Sequence, residues 1–302
     1  MVKVGQTRID NKTRVVIANS DQAWLLPESE TVAAILARAE SGSSLQALLT
    51  ALSQSAPRYH GDFPLLKPVA PPEIWACGVT YLRQAKEHDV HLRTQTDNTL
   101  DLYESIYRHP RVEVFFKGFD RSSAGPGEPL QLRADSKQVL PEAEIVLVLG
   151  KNGTPIGYTL GNDLTAWDIE CDSPLFLNQA KIWDYSCSIG PFIVPMDERN
   201  LYDRKVECRV LRKGERIIVS EGFTRDLSRT AEELCHFLKF NNAVPPGTLL
   251  FTGTACVIPH DFALHDGDTV EVYEESVGML QNTIRRAPLP AADYPVILKR
   301  DA

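Results

Sequence analysis

Residues 140–181 read LPEAEIVLVLGKNGTPIGYTLGNDLTAWDIECDSPLFLNQAK. They place two carboxylates, Glu142 and Glu144, at the start of an apolar run. Residues two apart on a strand point to the same side, so both acids are expected to face one cavity while the run continues into the core. A second apolar segment ends at Asp163, which supplies a third carboxylate, and Lys181 follows after a further loop.

Three carboxylates without a histidine favour a hard cation. Oxygen-only ligation suits Mg²⁺, Mn²⁺ or Ca²⁺ better than Zn²⁺. The alternative for an isolated pair such as Glu142 and Glu144 is that both are solvated charges on an edge strand. Their spacing alone leaves both interpretations open.

The composition is that of an ordinary globular protein. The chain has 302 residues, of which 43% are hydrophobic, which is enough for one large domain with or without a smaller one. A net charge of −8 argues against non-specific binding to nucleic acid or to anionic membranes. No run reaches the roughly 18 apolar residues of a membrane helix, and the first residues lead into no signal-peptide core. We therefore expect a soluble, cytoplasmic protein without nucleic-acid or membrane partners.

The six cysteines show no C-x-x-C spacing. A chain of this length can bury a core without covalent cross-links, so the cysteines are expected to be buried free thiols.

The first part of the chain predicts a small α/β domain without chemistry of its own. Residues 14–18 are rich in β-branched residues, and helical patterns follow at 32–39 and 45–52, with Thr31 and Ser44 as candidate N-caps. Five prolines lie between positions 57 and 72, where they prevent a continuous helix or central strand. The predicted fold class is α/β and β-rich, with a small N-terminal domain at 1–68 and a catalytic domain at 69–302.

Over residues 71–284 the chain resembles the fumarylacetoacetate hydrolase family. The matching motifs occur in the family's order: Phe115-Phe116-Lys117, Glu142-x-Glu144, Asp163 with the following Thr-Ala-x-Asp, Lys181, Gly190-Pro191 and Gly253-Thr254. The resemblance implies that the catalytic domain has the family's mixed β-sheet roll. It also implies that Glu142, Glu144 and Asp163 bind a divalent cation, Mg²⁺ before Mn²⁺ or Ca²⁺, and that Lys181 is the active-site lysine. We further expect a homo-oligomer, either a dimer or a tetramer.

Within the family, residues 173–181 are most similar to the members that dehydrate 2-keto-3-deoxy sugar acids. The expected reaction is the metal-dependent dehydration of such an acid, a pentonate such as 2-keto-3-deoxy-arabinonate or -xylonate, to 2,5-dioxopentanoate. The cation is expected to polarise the C1 carboxylate and the C2 ketone. Lys181 is the candidate base at C3, or else the cation that steadies the enolate. Glu113 is the candidate acid for the departing C4 hydroxyl.

Further residues are expected to contact the substrate. Lys117 and Glu170 are candidate substrate-binding side chains, and Glu170 is shared with the dehydratase-like members of the family. Backbone amides at Gly253 and Thr254 are candidates to bind the substrate carboxylate. Trp167 stands where the family usually has arginine, and the resemblance offers no reason for it.

Residues 81–108 are polar and charged, and they match the family's mobile lid over the site. Hydrolases of the family carry a His and a Glu three residues apart in the lid, and this pair activates the attacking water. The matching positions here are Gln84 and Glu87, with His88 and His91 nearby. Glu87 is kept as a catalytic candidate, but a glutamine cannot accept a proton at neutral pH.

Two alternatives stay open. An acylpyruvate hydrolase would use the same metal enolate, but it needs an activated water, and the missing histidine at position 84 argues against it. A catalytically silent metal-binding or assembly protein is the alternative from another class, and the presence of all three carboxylates and Lys181 argues against that.

Overall fold

The computed structural model describes residues 1–95, 101–197, 201–259 and 261–286. Its strands are β1 Lys3–Ile9, β2 Lys12–Ala18, β3 Ala23–Leu25, β4 Arg58–Tyr59, β5 Leu65–Leu66, β6 Ile74–Gly78, β7 Glu113–Gly118, β8 Ser123–Ala124, β9 Leu130–Leu132, β10 Val139–Leu140, β11 Ala143–Leu149, β12 Pro155–Asp163, β13 Thr165–Ala166, β14 Cys187–Pro195, β15 Lys205–Arg212, β16 Glu215–Phe223, β17 Leu249–Thr254, β18 Thr269–Glu274 and β19 Gly278–Arg286. Its helices are α1 Val32–Arg38, α2 Gly42–Ser55, α3 Leu82–Gln95, α4 Leu102–Arg108, α5 Trp167–Asp172, α6 Leu177–Lys181 and α7 Ala231–Lys239.

Most strands form one twelve-stranded sheet in the order β4-β3-β2-β1-β14-β12-β11-β17-β6-β7, with β5 on β1 and β8 on β14. The central strands β11, β12, β14 and β17 are buried along their whole length. Strands covered on both faces read as continuous apolar runs, which is why residues 145–149 do not alternate. A five-stranded sheet in the order β16-β15-β18-β19-β9 shares a core with them. The β-rich α/β class is confirmed.

The N-terminal segment extends the large sheet. Strand β1 pairs antiparallel with β14, with Val4 opposite Ile193. Apolar residues on both sides of position 68, among them Leu45 and Val148, belong to one buried cluster. The division at residue 68 stays a prediction, and the segment before it shares a sheet and a core with the rest.

Three helix starts test the cap predictions. Thr31 accepts a hydrogen bond from the Ala34 amide at 3.1 Å, as predicted. Ser44 was the wrong cap for α2, because the helix begins one turn earlier, after Ser41. The two serines exchange reciprocal bonds, so Ser44 is the third residue of a capping box. The sequence Thr230-x-x-Glu233 has the spacing of a capping box and so predicts a third helix start, and the structure shows this box at the start of α7.

Other predictions agree with the structure. The sequence of residues 206–219 is typical of a hairpin that turns at 213–215, and strands β15 and β16 form this hairpin across Lys213 and Gly214. All six cysteines are free, and all except the half-buried Cys171 are buried. None of the helices in the described part of the chain has the length and apolarity needed to cross a membrane.

The topology brings several strand ends to one place. Strands β11 and β12 pair antiparallel, with Ala143 opposite Asn162, so the start of β11 lies beside the end of β12. Strand β17 lies on the other side of β11 and pairs with β6, which pairs with β7. Helices α3 and α4 lie within the connection from β6 to β7, at the point where Gly78 pairs with Glu113.

Candidate active site

A cavity of about 170 Å³ lies between the lid helices α3 and α4 and these strand ends. Its charged lining consists of Glu113, Glu142, Glu144, Asp163, Glu170 and Lys181. Six of the predicted site residues, which are far apart in the sequence, therefore meet in one small cavity.

The three predicted metal ligands lie close together. Glu142 precedes β11, Glu144 is within it, and Asp163 is the last residue of β12. One carboxylate oxygen from each lies within 4.8 Å of the others, and Glu144 and Asp163 are buried. The amide of Asp163 donates to the carbonyl of Glu142 at 2.9 Å, which fixes the two strand ends to each other. The alternative that Glu142 and Glu144 are solvated edge charges is therefore wrong.

Two buried lysines neutralise part of this charge. Lys181 Nζ donates to Glu142 Oε2 at 3.0 Å, Asp163 Oδ2 at 3.3 Å and Thr165 Oγ1 at 2.6 Å. Burial by itself lowers the pKa of Lys181, but Asp163, Glu142 and Glu170 together raise this pKa well above its usual range. Lys181 is thus held as an ammonium group.

Lys117 does not line the cavity, although it was expected to contact substrate. Its side chain is fully buried behind Asp163, with Nζ 2.5 Å from Oδ1 of that residue. The same ammonium donates to the carbonyls of Leu164, at 3.1 Å, and of Lys181. Lys117 therefore supports two other site residues, the carboxylate of Asp163 and the backbone of Lys181.

The donor set fits a divalent cation. Burial raises the pKa of Glu144 well above its usual value, and repulsion from Asp163 and Glu142 raises it further. A hard cation with oxygen ligands would relieve this repulsion. Glu142, Glu144 and Asp163 are the residues that could hold it.

Gly253 orients one of these carboxylates. Its amide donates to Glu144 Oε2 at 2.6 Å, so it binds the protein's own carboxylate here instead of a substrate group. A Cβ at Gly253 would lie 2.0 Å from Thr80 Oγ1, and φ is +90°, so this approach requires glycine. Thr254 lines the cavity, and its hydroxyl donates to the carbonyl of Ala143 at 2.8 Å.

Glu113 enters the cavity from the first residue of β7. A Cβ on Gly78 would lie 2.1 Å from Glu113 Oε2, so the glycine leaves room for the carboxylate. Burial raises the pKa of Glu113; Lys181 opposes this shift and Glu142 adds to it. A carboxyl group that keeps its proton is suited to act as an acid.

Glu170 enters from α5, and its Oε1 accepts a hydrogen bond from the Tyr103 hydroxyl at 3.0 Å. Burial raises the pKa of Glu170 to about 7, against the opposing effects of Lys181 and of the Tyr103 hydrogen bond. Glu170 is thus a second carboxyl group in the cavity with a raised pKa, and it titrates near neutrality.

The lid places Glu87 differently from the expectation. Glu87 is exposed and does not line the cavity, whereas Gln84 and His88 do. Gln84 and His88 are four residues apart, so they lie on the same face of α3. Glu87, three residues after Gln84, is rotated toward solvent. His88 was missed as a site residue, although its spacing from Gln84 could have identified it.

The lid contacts also explain Trp167. Its buried ring lies 4.5 Å from the ring of His88 and 6.4 Å from that of Tyr103, measured between centroids. These two residues come from α3 and α4, so Trp167 is the surface on which both lid helices pack. Its role in the described structure is apolar packing with the lid.

On a fold of this kind, a buried carboxylate triad with a neighbouring lysine is typical of a metal-dependent enzyme. Residues 73–285 match the model of the fumarylacetoacetate (FAA) hydrolase C-terminal domain. The chain belongs to the fumarylacetoacetate hydrolase family, as its motifs predicted.

Comparison with individual proteins shows which members of the family this chain is similar to. The chain is 32% identical over 283 residues to the 2-dehydro-3-deoxy-D-arabinonate dehydratase of Saccharolobus solfataricus, covering 92% of this chain and 91% of that protein. It is 37% identical over 218 residues to a probable 2-keto-3-deoxyxylonate dehydratase of Haloferax volcanii, covering 72% of this chain and 73% of that protein. A solved structure of 2-keto-3-deoxy-D-arabinonate dehydratase, complexed with magnesium and 2,5-dioxopentanoate, superposes with a TM-score of 0.78 at 27% identity, covering 95% of this chain and 99% of that one.

We predict that Lys117→Met destabilises the metal-free protein by about 3–5 kcal/mol, because it leaves the buried carboxylate of Asp163 without this partner. Urea unfolding of both proteins measures the change. Lys205→Met is the matched control, since Lys205 pairs with Glu221 on the surface and its loss should cost much less than the loss of Lys117. Equal losses in the two variants would contradict the support role of Lys117.

We predict that part of the stability of the metal-free protein falls as pH rises from about 4.5 to about 7, because Glu170 holds its proton over this range in the folded state while the unfolded chain has released it. The Tm of Glu170→Gln should therefore gain on that of the wild type across this window. Melts in EDTA, with Glu40→Gln as a surface control, measure the difference. A constant offset between Glu170→Gln and wild type at every pH would refute the assignment.

Proposed function

We propose that the protein dehydrates a 2-keto-3-deoxy sugar acid, a pentonate such as 2-keto-3-deoxy-arabinonate or -xylonate, to 2,5-dioxopentanoate. The observation that carries this proposal is one small cavity that holds the carboxylate triad, Lys181 and two further carboxyl groups with raised pKa values, Glu113 and Glu170. An elimination of water needs proton transfer at both C3 and C4, and this set provides groups for both. The names of the two dehydratase relatives support the same substrate class.

Glu142, Glu144 and Asp163 would hold the divalent cation, and Mg²⁺ is the natural candidate because the donors are all oxygen atoms. When bound, it supplies positive charge near the C1 carboxylate and C2 ketone, which acidifies the C3 protons. Gly253 keeps Glu144 in place for this task, and Lys117 does the same for Asp163.

Lys181 acts at C3. Its three acceptors are those of an ammonium group, so the described contacts favour its role as the cation that steadies the enolate. To act as the C3 base, Lys181 would have to lose a proton when Glu142 and Asp163 bind the metal ion.

Glu113 acts at C4. Hydroxide is a poor leaving group, so the C4 oxygen must receive a proton as the bond to carbon breaks. Burial raises the pKa of Glu113, which favours the protonated form of this carboxyl group. Loss of one water leaves a C3=C4 enone with an allylic C5 hydroxyl. Removal of a C5 proton and protonation at C3 then give the C4=C5 enol, and protonation of this enol at C4 gives the C5 aldehyde.

Acylpyruvate hydrolysis is the second candidate, and the position of His88 in the cavity is the observation that favours it. A histidine could activate the attacking water. Its ring, however, packs against Trp167 and, at 4.9 Å, against Tyr103. An acylpyruvate assay of wild type and His88→Gln tests this route. Hydrolysis that depends on His88 and exceeds dehydration would reverse our choice.

The cellular setting is also a proposal. Six free cysteines, five of them buried, suit a reducing cytoplasm. The expectation of a homo-oligomer, dimer or tetramer, follows from the resemblance, and sedimentation of the purified protein would test it.

We predict that Glu144→Gln abolishes Mg²⁺-dependent turnover while the fold remains, because it removes one charged ligand and a source of repulsion. Calorimetric titration with Mg²⁺ and a thermal melt measure the two effects separately. Turnover of the wild-type protein that persists in excess EDTA would refute the metal requirement.

We predict that Lys181→Met stops both dehydration and exchange of the C3 protons with D₂O, because no enolate forms. Glu113→Gln should lower dehydration by about 10²-fold or more while C3 exchange survives, since only the proton donor at C4 is lost. Proton NMR of substrate in D₂O measures both steps. If Glu113→Gln loses the exchange and Lys181→Met retains it, the two roles must be swapped.

A further inference from the structure

Helix α4 of the lid is capped by a carboxylate from α3. Asp89 is buried, and its Oδ1 and Oδ2 accept the amides of Tyr103 at 2.9 Å and Glu104 at 2.8 Å. These first-turn amides have no partner within their own helix. Asp101, the N-cap of α4, makes no capping bond with its side chain, so Asp89 replaces it.

The residue that Asp89 holds by its backbone reaches the active site with its side chain. The hydroxyl of Tyr103 donates to Glu170 Oε1 at 3.0 Å. The ring of Tyr103 also lies 4.9 Å from that of His88, between centroids. The position of α4 thus determines whether the bond to Glu170 can form.

The other oxygen of Glu170 is available for a ligand. Oε2 is buried and has no hydrogen-bond partner among the residues that the structure describes. Buried carboxylate oxygens in proteins are normally hydrogen-bonded. Glu170 lines the cavity, so a substrate hydroxyl is suited to donate a hydrogen bond to Oε2.

We propose that Asp89 and Tyr103 are positioning residues that hold Glu170 in place, so that Oε2 binds the C4–C5 hydroxyl end of the substrate. Asp89 does not line the cavity and acts only through α4. The identity of the substrate in this statement rests on the proposed function, whereas the connection from Asp89 through Tyr103 to Glu170 does not.

Hydrogen–deuterium exchange tests the capping step without any turnover. In Asp89→Ala, exchange of the Tyr103 and Glu104 amides should rise by roughly tenfold or more, because each loses a bond to a charged acceptor. Asp101→Asn is the control at the same helix end and should leave these amides protected. Unchanged exchange in Asp89→Ala, or an equal rise in both variants, would overturn the assignment of Asp89.

Steady-state kinetics with a 2-keto-3-deoxy-pentonate and Mg²⁺ test the link to Glu170. Tyr103→Phe should lower kcat by about tenfold. KM should change little, because the C1–C2 end of the substrate is bound elsewhere. Tyr107→Phe, one turn further along α4, should be neutral.

In a Glu170→Gln background, Tyr103→Phe should cause no additional loss, because the two residues act as one unit. The same tenfold loss in both backgrounds, or no loss in the single variant, would overturn the proposal. Wild-type protein that fails to turn over the sugar acid would refute the proposed function instead, and the exchange experiment would still decide the role of Asp89.

Discussion

The structure depends on a buried cluster of like charges. Glu142, Glu144 and Asp163 bring carboxylate oxygens within 4.8 Å of one another, and Glu144 and Asp163 are buried. Like charges that are so close and largely shielded from bulk solvent destabilise the fold unless cations oppose them. Lys181 and Lys117 supply part of that opposition. Burial, and after it repulsion from Asp163 and Glu142, still raise the pKa of Glu144. The site is therefore built to gain stability from a divalent cation.

The fold makes this arrangement rigid. Glu144 and Asp163 lie on two paired strands at the centre of the large sheet, where every residue is buried, and Glu142 stands immediately before the first of these strands. Gly253 lies on the adjacent strand β17 and hydrogen-bonds Glu144. The lid, in contrast, consists of two helices that reach the site through side chains alone, chiefly His88 and Tyr103. The carboxylate cluster is therefore held by the rigid sheet, whereas the lid helices are a separate element. In the proposed function, the sheet binds the metal ion and the lid recognises the rest of the substrate.

The sequence predicted the carboxylate cluster well and the lid poorly. The two-residue spacing of Glu142 and Glu144 places both acids on one side of a strand, but it left a solvated edge pair open. The resemblance to the family decided between the two interpretations and added Asp163 to the cluster. The positions of Lys117 and Glu87 depend on which way a residue turns at a sheet edge or on a helix. For Lys117, the direction is set by packing against Asp163. For Glu87, it is set by Trp167, which packs on the opposite face of α3. Neither contact is visible in the sequence.

The central claim is that this charged cavity eliminates water from a 2-keto-3-deoxy sugar acid. Carbon-13 NMR of the products that wild-type protein and Mg²⁺ form from 2-keto-3-deoxy-arabinonate tests it most directly. Our account predicts a single five-carbon product, 2,5-dioxopentanoate, with its aldehyde at C5. Pyruvate with a two-carbon aldehyde would show cleavage of the carbon chain between C3 and C4 instead, and would contradict the roles given to Glu113 and Lys181.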